Sequence, residues 1–321
     1  MKLGVLTVAL YDRSFEDALK YLHGLGVQTV EVGVGGFPGD NHSNASELVK
    51  DDAKIKAFKE LVKKYDMEIS ALSTHNNPVH PDADTAALAQ AEIERAIILA
   101  EKLGVNTIVG FSGCPGDAPG AKNPNWVTCQ WPNVFRDILN YQWNDVLVPY
   151  WEKTAKFAKD SGVNIALEIH PGFCVYNTDT MLKLRREAGD NIGANFDPSH
   201  LFWQGIDPVQ AIKALKGAIY HFHAKDVKID NANTAVTGVL DTLNDFTNVN
   251  QRSWVFRTVG YGHGKEVWND MISTLKATGY DGAISIEHED AYMSPVEGLE
   301  KAISFLKDVI IYQSPGEAWW A

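Results

Sequence analysis

Cationic side chains are in short supply in this chain: 29 Lys and Arg stand against 41 Asp and Glu, a net charge of −12 over 321 residues. A protein that grips a phosphate backbone needs clustered basic residues, so nucleic acid is excluded as the expected partner. Thiols are scarcer still. Cys114, Cys129 and Cys174 make neither a CxxC pair nor an even disulfide framework, which suits free thiols in a reducing compartment. No stretch approaches the roughly 18 uninterrupted apolar residues of a membrane span. The opening MKLGVLTVAL has one basic residue and a brief apolar run, and polar YDRSFEDA follows without a small-residue cleavage site, so it reads as a first strand rather than a secretory signal. Together these absences predict a soluble, cytoplasmic protein without a membrane partner.

Apolar residues, by contrast, make up 45% of the chain, enough for one large core. Strand-like runs at Lys2–Val8, Thr29–Gly33, Glu68–Ser73, Thr107–Phe111, Asn164–Ile169, Ile192–Asp197, Ile219–His223 and Ala283–Glu287 alternate with amphipathic helical patterns. Those patterns fall near Ser14–Leu25, Asp52–Tyr65, Asp84–Leu103, Trp143–Ser161, Thr178–Ala188, Pro208–Lys216, Val267–Thr278 and Val296–Ile310. Alternation of this kind is the signature of a parallel sheet with crossover helices, and eight βα units predict an α/β fold, a single (β/α)8 TIM barrel spanning residues 1–321. Gly26, Gly104, Gly162 and Gly279, in LGVQTVEV, LGVNTIVG, SGVNIALE and TGYDGAISIE, are placed to end a helix in the left-handed conformation before the chain re-enters the barrel. Two connections are long, Ser112 to about Gln142 after the fourth strand and Asp226 to about Lys265 after the seventh. In such barrels these positions build substrate walls or partner surfaces. Trp126, Trp131 and Trp143, among Pro115, Pro119, Pro124 and Pro132, suit either a sugar-stacking wall or packing onto the barrel or another subunit.

The chemistry concentrates at strand ends. NIALEIH reaches Glu168, IGANFDPSH reaches Asp197 and His200, IYHFHAKD reaches His223, and GAISIEHED reaches Glu287. A charged residue closing an apolar strand is costly unless it is paired or holds an ion, and barrel active sites gather side chains from several strand ends. Three carboxylates and one imidazole predict a hard or borderline divalent cation, Mn²⁺ first with Mg²⁺ or Co²⁺ as rivals, leaving octahedral positions for substrate oxygens. Such an ion could polarise a substrate carbonyl and stabilise the charge formed when the adjacent C–H is deprotonated, with Glu168 and Glu287 as candidate proton carriers or simply as ligands.

The E…DPSH…HxHAKD…SIEHED series resembles the xylose-isomerase-like TIM-barrel superfamily, which holds sugar phosphate isomerase/epimerases, ketose 3-epimerases, inosose dehydratase and the endonuclease IV enzymes; the likeness covers essentially the whole chain. The resemblance implies that Glu168, Asp197, His223 and Glu287 bind the metal, that the two glutamates exchange protons with substrate, and that His200 touches substrate hydroxyls. It also implies a metal-dependent sugar isomerase or epimerase. Two departures qualify it. Ketose 3-epimerases place an arginine six residues beyond the histidine matching His223, where this chain has Ile229. The endonuclease-like Asp-x-His pair is missing between Asp226 and His263. The alternative is a lyase that removes water or an aglycone from a keto-sugar or 3-oxo-glycoside, since the tryptophan-rich connection and HNNPVHP resemble the α subunits of C-glycoside deglycosidases, which work with a small β partner.

Further candidates for substrate contact are His75 and His80 in STHNNPVHP, His170 beside Glu168, Lys225 and Asp226 after His223, and Trp126. Lys225 and Asp226 suit a hydroxyl or phosphate contact or an internal ion pair. His263 in GYGHGK could sit in a phosphate-cradling loop. His288 is expected to point away from Glu287 by strand alternation, and His221 to share the inward face with His223 as a supporting residue. A carbohydrate or glycoside is the expected partner. The Trp319–Trp320 pair hints at docking on the barrel, on a second copy or on a small partner subunit.

Overall fold

Strand side chains alternate between two faces, and here the two faces differ in chemistry. The computed structural model describes residues 1–314 and 316–317, so the Trp319–Trp320 pair lies outside the described residues. Eight parallel strands close into a barrel in chain order: β1 (Lys2–Leu6), β2 (Thr29–Gly33), β3 (Glu68–Ser73), β4 (Thr107–Phe111), β5 (Asn164–Glu168), β6 (Ile192–Phe196), β7 (Ile219–Ala224) and, after the hairpin strands described below, β10 (Ala283–Ile286), which pairs with both β7 and β1. The expected (β/α)8 TIM barrel is therefore present, with its helices outside.

The outward residues, among them Val30, Val32, Ile165, Leu167, Phe196, Phe222, Ile284 and Ile286, join one large apolar cluster with the helices. The inward face is lined by small apolar residues at Ala71, Val109 and Ala166 and by buried Glu31, Ser73, Asn195, His221, His223 and Ser285. Burial on both faces explains why the strands read as nearly unbroken apolar runs. Trp151 and Trp268, both almost fully buried, are among the largest side chains in the shell. Gly26, Gly104, Gly162 and Gly279 hold φ of +73°, +75°, +69° and +96°, as the repeated junctions predict.

Element boundaries shift by a few residues. β1 stops at Leu6 and a tight turn over Thr7–Leu10 follows. The helix expected from Trp143 begins at Val134, and the long fourth connection is correspondingly shorter. That helix passes through a wide i→i+5 turn at Tyr141–Leu147 before continuing over Val148–Asp160. There Gln142 Nε2 donates to Pro115 O (3.2 Å), Gly116 O (3.2 Å) and Asn125 O (2.6 Å), tying the connection down. The seventh connection is not irregular throughout: β8 (Asp226–Ile229) and β9 (Trp254–Arg257) pair antiparallel, with Val227 opposite Phe256 and Ile229 opposite Trp254. One face of this hairpin stacks Trp254 on Trp203 (4.6 Å between centroids, 7° between planes) and sets the edge of Phe256 on His200 at 5.3 Å. Among the described residues no helix is long and apolar enough to cross a membrane.

Candidate metal centre

Glu168 closes β5, Asp197 follows β6, His223 lies in β7 and Glu287 follows β10. Parallel pairing brings these C-terminal ends to one mouth, and a ligand atom from each of the four falls within 4.8 Å of those of the others. Local structure aims them. Asp197 caps the short helix Pro198–Phe202, its Oδ1 accepting from Ser199 N at 2.8 Å, while Oδ2 lies 3.1 Å from Lys225 Nζ and 3.4 Å from His200 Nε2. His223 Nδ1 lies 3.2 Å from Glu168 Oε2 and 3.1 Å from Glu287 Oε2.

Around these four sit groups that fix them. Glu168 is buried and takes His75 Nε2 at 2.9 Å, His200 Nε2 at 3.1 Å and Asn195 Nδ2 at 3.2 Å. Burial pushes its carboxyl up, but hydrogen bonds from His200, His223 and His75 win and hold it well below the usual carboxylate range. Lys225, 2% exposed, places Nζ 3.1 Å from Asp197 Oδ2, 2.7 Å from Glu287 Oε2 and 3.0 Å from Glu289 Oε2. Burial opposes its charge, and the carboxylates overcome burial, so its pKa is raised. Burial likewise opposes ionisation of Glu287, whose carboxyl the Lys225 and His223 charges bring down. Asp197 is pushed up to about 6, first by burial and, against the pull of Lys225, by the charges of Glu168 and Glu287.

This donor set fits a divalent cation. Three carboxylates crowd one imidazole, and Asp197 Oδ2, fully buried, accepts no hydrogen bond of good geometry although Lys225 Nζ is near. An ion held by Glu168, Asp197, His223 and Glu287 would answer that orphaned oxygen and the excess of negative charge together.

Of the other sequence candidates, His75 and His200 meet at Glu168. His170 packs 4.0 Å from the His200 ring and against Phe111, with Nδ1 donating to Pro171 O at 2.6 Å; burial and then the His200 charge push it down to about 3. Lys225 forms the internal ion pair rather than a free phosphate contact. Trp126 sets its ring edge against Tyr176 at 5.6 Å and lines a cleft of about 260 Å³ with Trp143, Cys174 and Lys183, which none of the four ligand residues enters. Of the two roles open to these tryptophans, packing is the one seen for Trp126, against Tyr176, while Trp131 is 78% exposed. His80 stands outside the cluster and accepts from Asp82 N at 3.0 Å.

The phosphate cradle expected at GYGHGK is already filled. Asp226 Oδ2 accepts from Gly260 N, Gly262 N and His263 N at 3.1, 3.1 and 2.9 Å, and Asp226 Oδ1 pairs with His263 Nδ1 at 2.7 Å. His288 turns outward against Gly298, as strand alternation predicts. His221 faces inward, its Nδ1 3.1 Å from Asn195 Oδ1. Ile229, at the position of the epimerases' arginine, lies in β8 opposite Trp254.

Sequence reasoning missed Glu31, Asn195 and Glu289. Glu31 is fully buried in β2 with His223 Nε2 3.0 Å from each oxygen. Burial pushes its carboxyl up, yet the His223 and His221 charges bring it to about 2. The available signal was a lone acid in TVEVG, a strand otherwise apolar and small.

The profile of the xylose isomerase-like TIM barrel family matches residues 19–309. The chain belongs to this family. Within it, uncharacterized protein YfiH of Bacillus subtilis (strain 168) is 39% identical over 97% of this chain and 99% of its own. Inosose dehydratase of Geobacillus thermodenitrificans (strain NG80-2) is 25% identical over 51% of this chain and 54% of its own, about half of each. Among solved structures, the IolI protein with a bound zinc atom superposes with a TM-score of 0.66 at 19% identity, covering 98% of this chain and 100% of that one. D-psicose 3-epimerase in the presence of D-fructose gives a TM-score of 0.63 at 15% identity, covering 97% and 99%. At such identities the structural likeness establishes the fold alone.

Proposed function

We propose that this chain is a divalent-metal-dependent sugar isomerase or epimerase that moves a proton next to the carbonyl of a keto-sugar. The observation that carries the reading is the convergence of Glu168 and Glu287 with Asp197 and His223, two potential proton carriers on one would-be cation. When bound, the ion, Mn²⁺ in the first instance, supplies Lewis-acid polarisation of the substrate carbonyl and a counter-charge for the electrons released beside it. The family relatives named above as a dehydratase and an epimerase act on sugars or cyclic polyols, which supports this substrate class.

The chain's own residues divide the work. Glu168, kept ionised by three side-chain donors, takes the proton. Glu287 faces it across the His223 ring nitrogen and returns a proton from the other side, drawn through its 2.7 Å contact with the Lys225 ammonium, and exchange with solvent then takes the proton off Glu168 and restores the one on Lys225. His75 and His200 orient Glu168 and offer ring nitrogens to substrate hydroxyls. The enclosing aromatics Phe111, Phe173 and Phe256 keep water from the proton carriers.

The second reading is a lyase: the same proton abstraction followed by loss of water or an aglycone from the β carbon, as in a C-glycoside deglycosidase α subunit. The inosose dehydratase relative favours it specifically. Protein loaded with Mn²⁺ and incubated with ketoses in D₂O should incorporate deuterium at carbon, read by NMR; enone absorbance or a free aglycone from a 3-oxo-glycoside assigns the lyase. Glu168→Gln and Glu287→Gln should each reduce exchange by ~100-fold or more, the usual weight of a positioned acid or base. Exchange at the wild-type rate in both variants removes the glutamates from the chemistry and ends this proposal.

A further inference from the structure

The barrel's centre holds one carboxylate that the reading above leaves unused. Glu31 stands on the far side of the His223 ring from Glu168 and Glu287. Both its oxygens lie 3.0 Å from Nε2, whereas Glu168 and Glu287 lie 3.2 and 3.1 Å from Nδ1. Its remaining acceptor sites are also taken. Ser285 Oγ donates to Oε2 at 2.7 Å, Ser73 Oγ donates to Oε1, and His221 Nε2 lies 3.7 Å from Oε2. These partners come from β3, β7 and β10, so the carboxylate is fixed from several sides of the barrel.

A neutral imidazole carries one N–H and one lone pair, and whichever nitrogen faces an obligate acceptor keeps the hydrogen. An ionised carboxylate accepts and never donates. Nδ1 also faces carboxylates, Glu168 and Glu287, but a cation held there would claim their lone pairs, whereas Glu31, on the other side of the ring, would remain an acceptor for the N–H; with the ion bound, the nitrogen facing Glu31 is therefore the protonated one. We propose that Glu31 is a positioning residue: it holds the His223 proton on Nε2 and so turns the Nδ1 lone pair toward the cation shared with Glu168, Asp197 and Glu287. This rests on the metal reading of the previous subsection. Glu31 also groups with His221 and His223 closely enough to suggest a second ion. Hydroxyl donors occupy both its oxygens, His223 Nε2 lies 3.0 Å from each, and the Ser70 hydroxyl lies 3.4 Å from His221 Nε2, so that group is already engaged within the protein.

The test combines Zn²⁺ calorimetry with long-range ¹H–¹⁵N NMR of protein carrying ¹⁵N-histidine, the His223 signals being assigned by their loss in His223→Gln. Wild-type protein loaded with Zn²⁺ should show the His223 proton on Nε2 and a metal-shifted Nδ1. Glu31→Gln, whose amide can present a donor to Nε2, should show an Nδ1–H population and bind Zn²⁺ ~10–100-fold more weakly. A Ser73→Ala, Ser285→Ala variant, which loosens the packing but keeps the carboxylate, should retain near wild-type affinity. A wild-type His223 that carries its proton on Nδ1 in the zinc complex overturns the inference whether or not any variant folds. Unchanged affinity and tautomer in Glu31→Gln overturn it while leaving the metal reading intact. A wild-type chain that takes up no Zn²⁺, Mn²⁺ or Co²⁺ overturns the metal reading and this inference together.

Discussion

Replacing Lys225 by Met keeps most of the aliphatic stem and deletes the charge at the heart of the site. In the wild type Nζ faces carboxylate oxygens at 2.7, 3.0 and 3.1 Å. Each attraction is about 5–6 kcal/mol at an effective dielectric constant of roughly 20, and the desolvation of a fully buried ammonium offsets a large part of their sum. Removing one partner of such a buried set leaves like charges facing one another, so the expected loss for Lys225→Met in chelator is about 3–5 kcal/mol. A divalent ion at the four ligands would supply the missing positive charge, and without the ammonium it would meet less repulsion. Urea unfolding of both proteins in EDTA and in Mn²⁺ measures this. Lys225→Met should be markedly less stable in EDTA and should gain more from Mn²⁺ than the wild type does, where saturation at about 100 times Kd is worth about 2.7 kcal/mol. If the variant unfolds at the wild-type midpoint in EDTA, or if Mn²⁺ stabilises it no more than the parent, the charge balance drawn from the ion-pair distances is wrong.

Gly262→Ala should cost about 1–3 kcal/mol in urea unfolding, because the new methyl would stand 2.2 Å from Val227 O and 2.4 Å from Asp226 Oδ1 and must push the loop off its carboxylate; a variant as stable as wild type would show that the loop does not depend on Asp226. His42 carries a pH signature. Burial lowers its pKa below the ordinary 6.5, more than its backbone hydrogen bonds raise it. Its contribution to stability is therefore complete above about pH 6.5 and fades as pH falls through that value toward the lower folded pKa. The stability difference between wild type and His42→Gln should shrink between pH 7.5 and pH 5, and a difference independent of pH would refute the buried, neutral ring.

The barrel was legible because its strands are buried on both faces and so stand out as apolar runs between amphipathic helices. The four ligand positions were legible for a related reason: Glu168, Asp197, His223 and Glu287 each end such a run, where a charge needs a partner. Glu31 escaped notice because it lies mid-strand, and Val-Glu-Val has the period of an ordinary half-exposed strand; only the closed barrel turns the alternate face inward. The β8–β9 hairpin was invisible for lack of length. Asp226–Ile229 and Trp254–Arg257 have four residues each, separated by 24 residues without a turn signal that would join them. The GYGHGK loop shows the converse error. Its glycines do gather amides around an anion, but the anion is the chain's own Asp226.

The apolar seal of this molecule runs between the staves and the surrounding helices, while the hub is a hydrophilic mesh of acids, imidazoles, amides and hydroxyls. Exchanging one hub residue therefore leaves the seal dry. A scaffold divided in this way can change what happens at its mouth by a handful of substitutions.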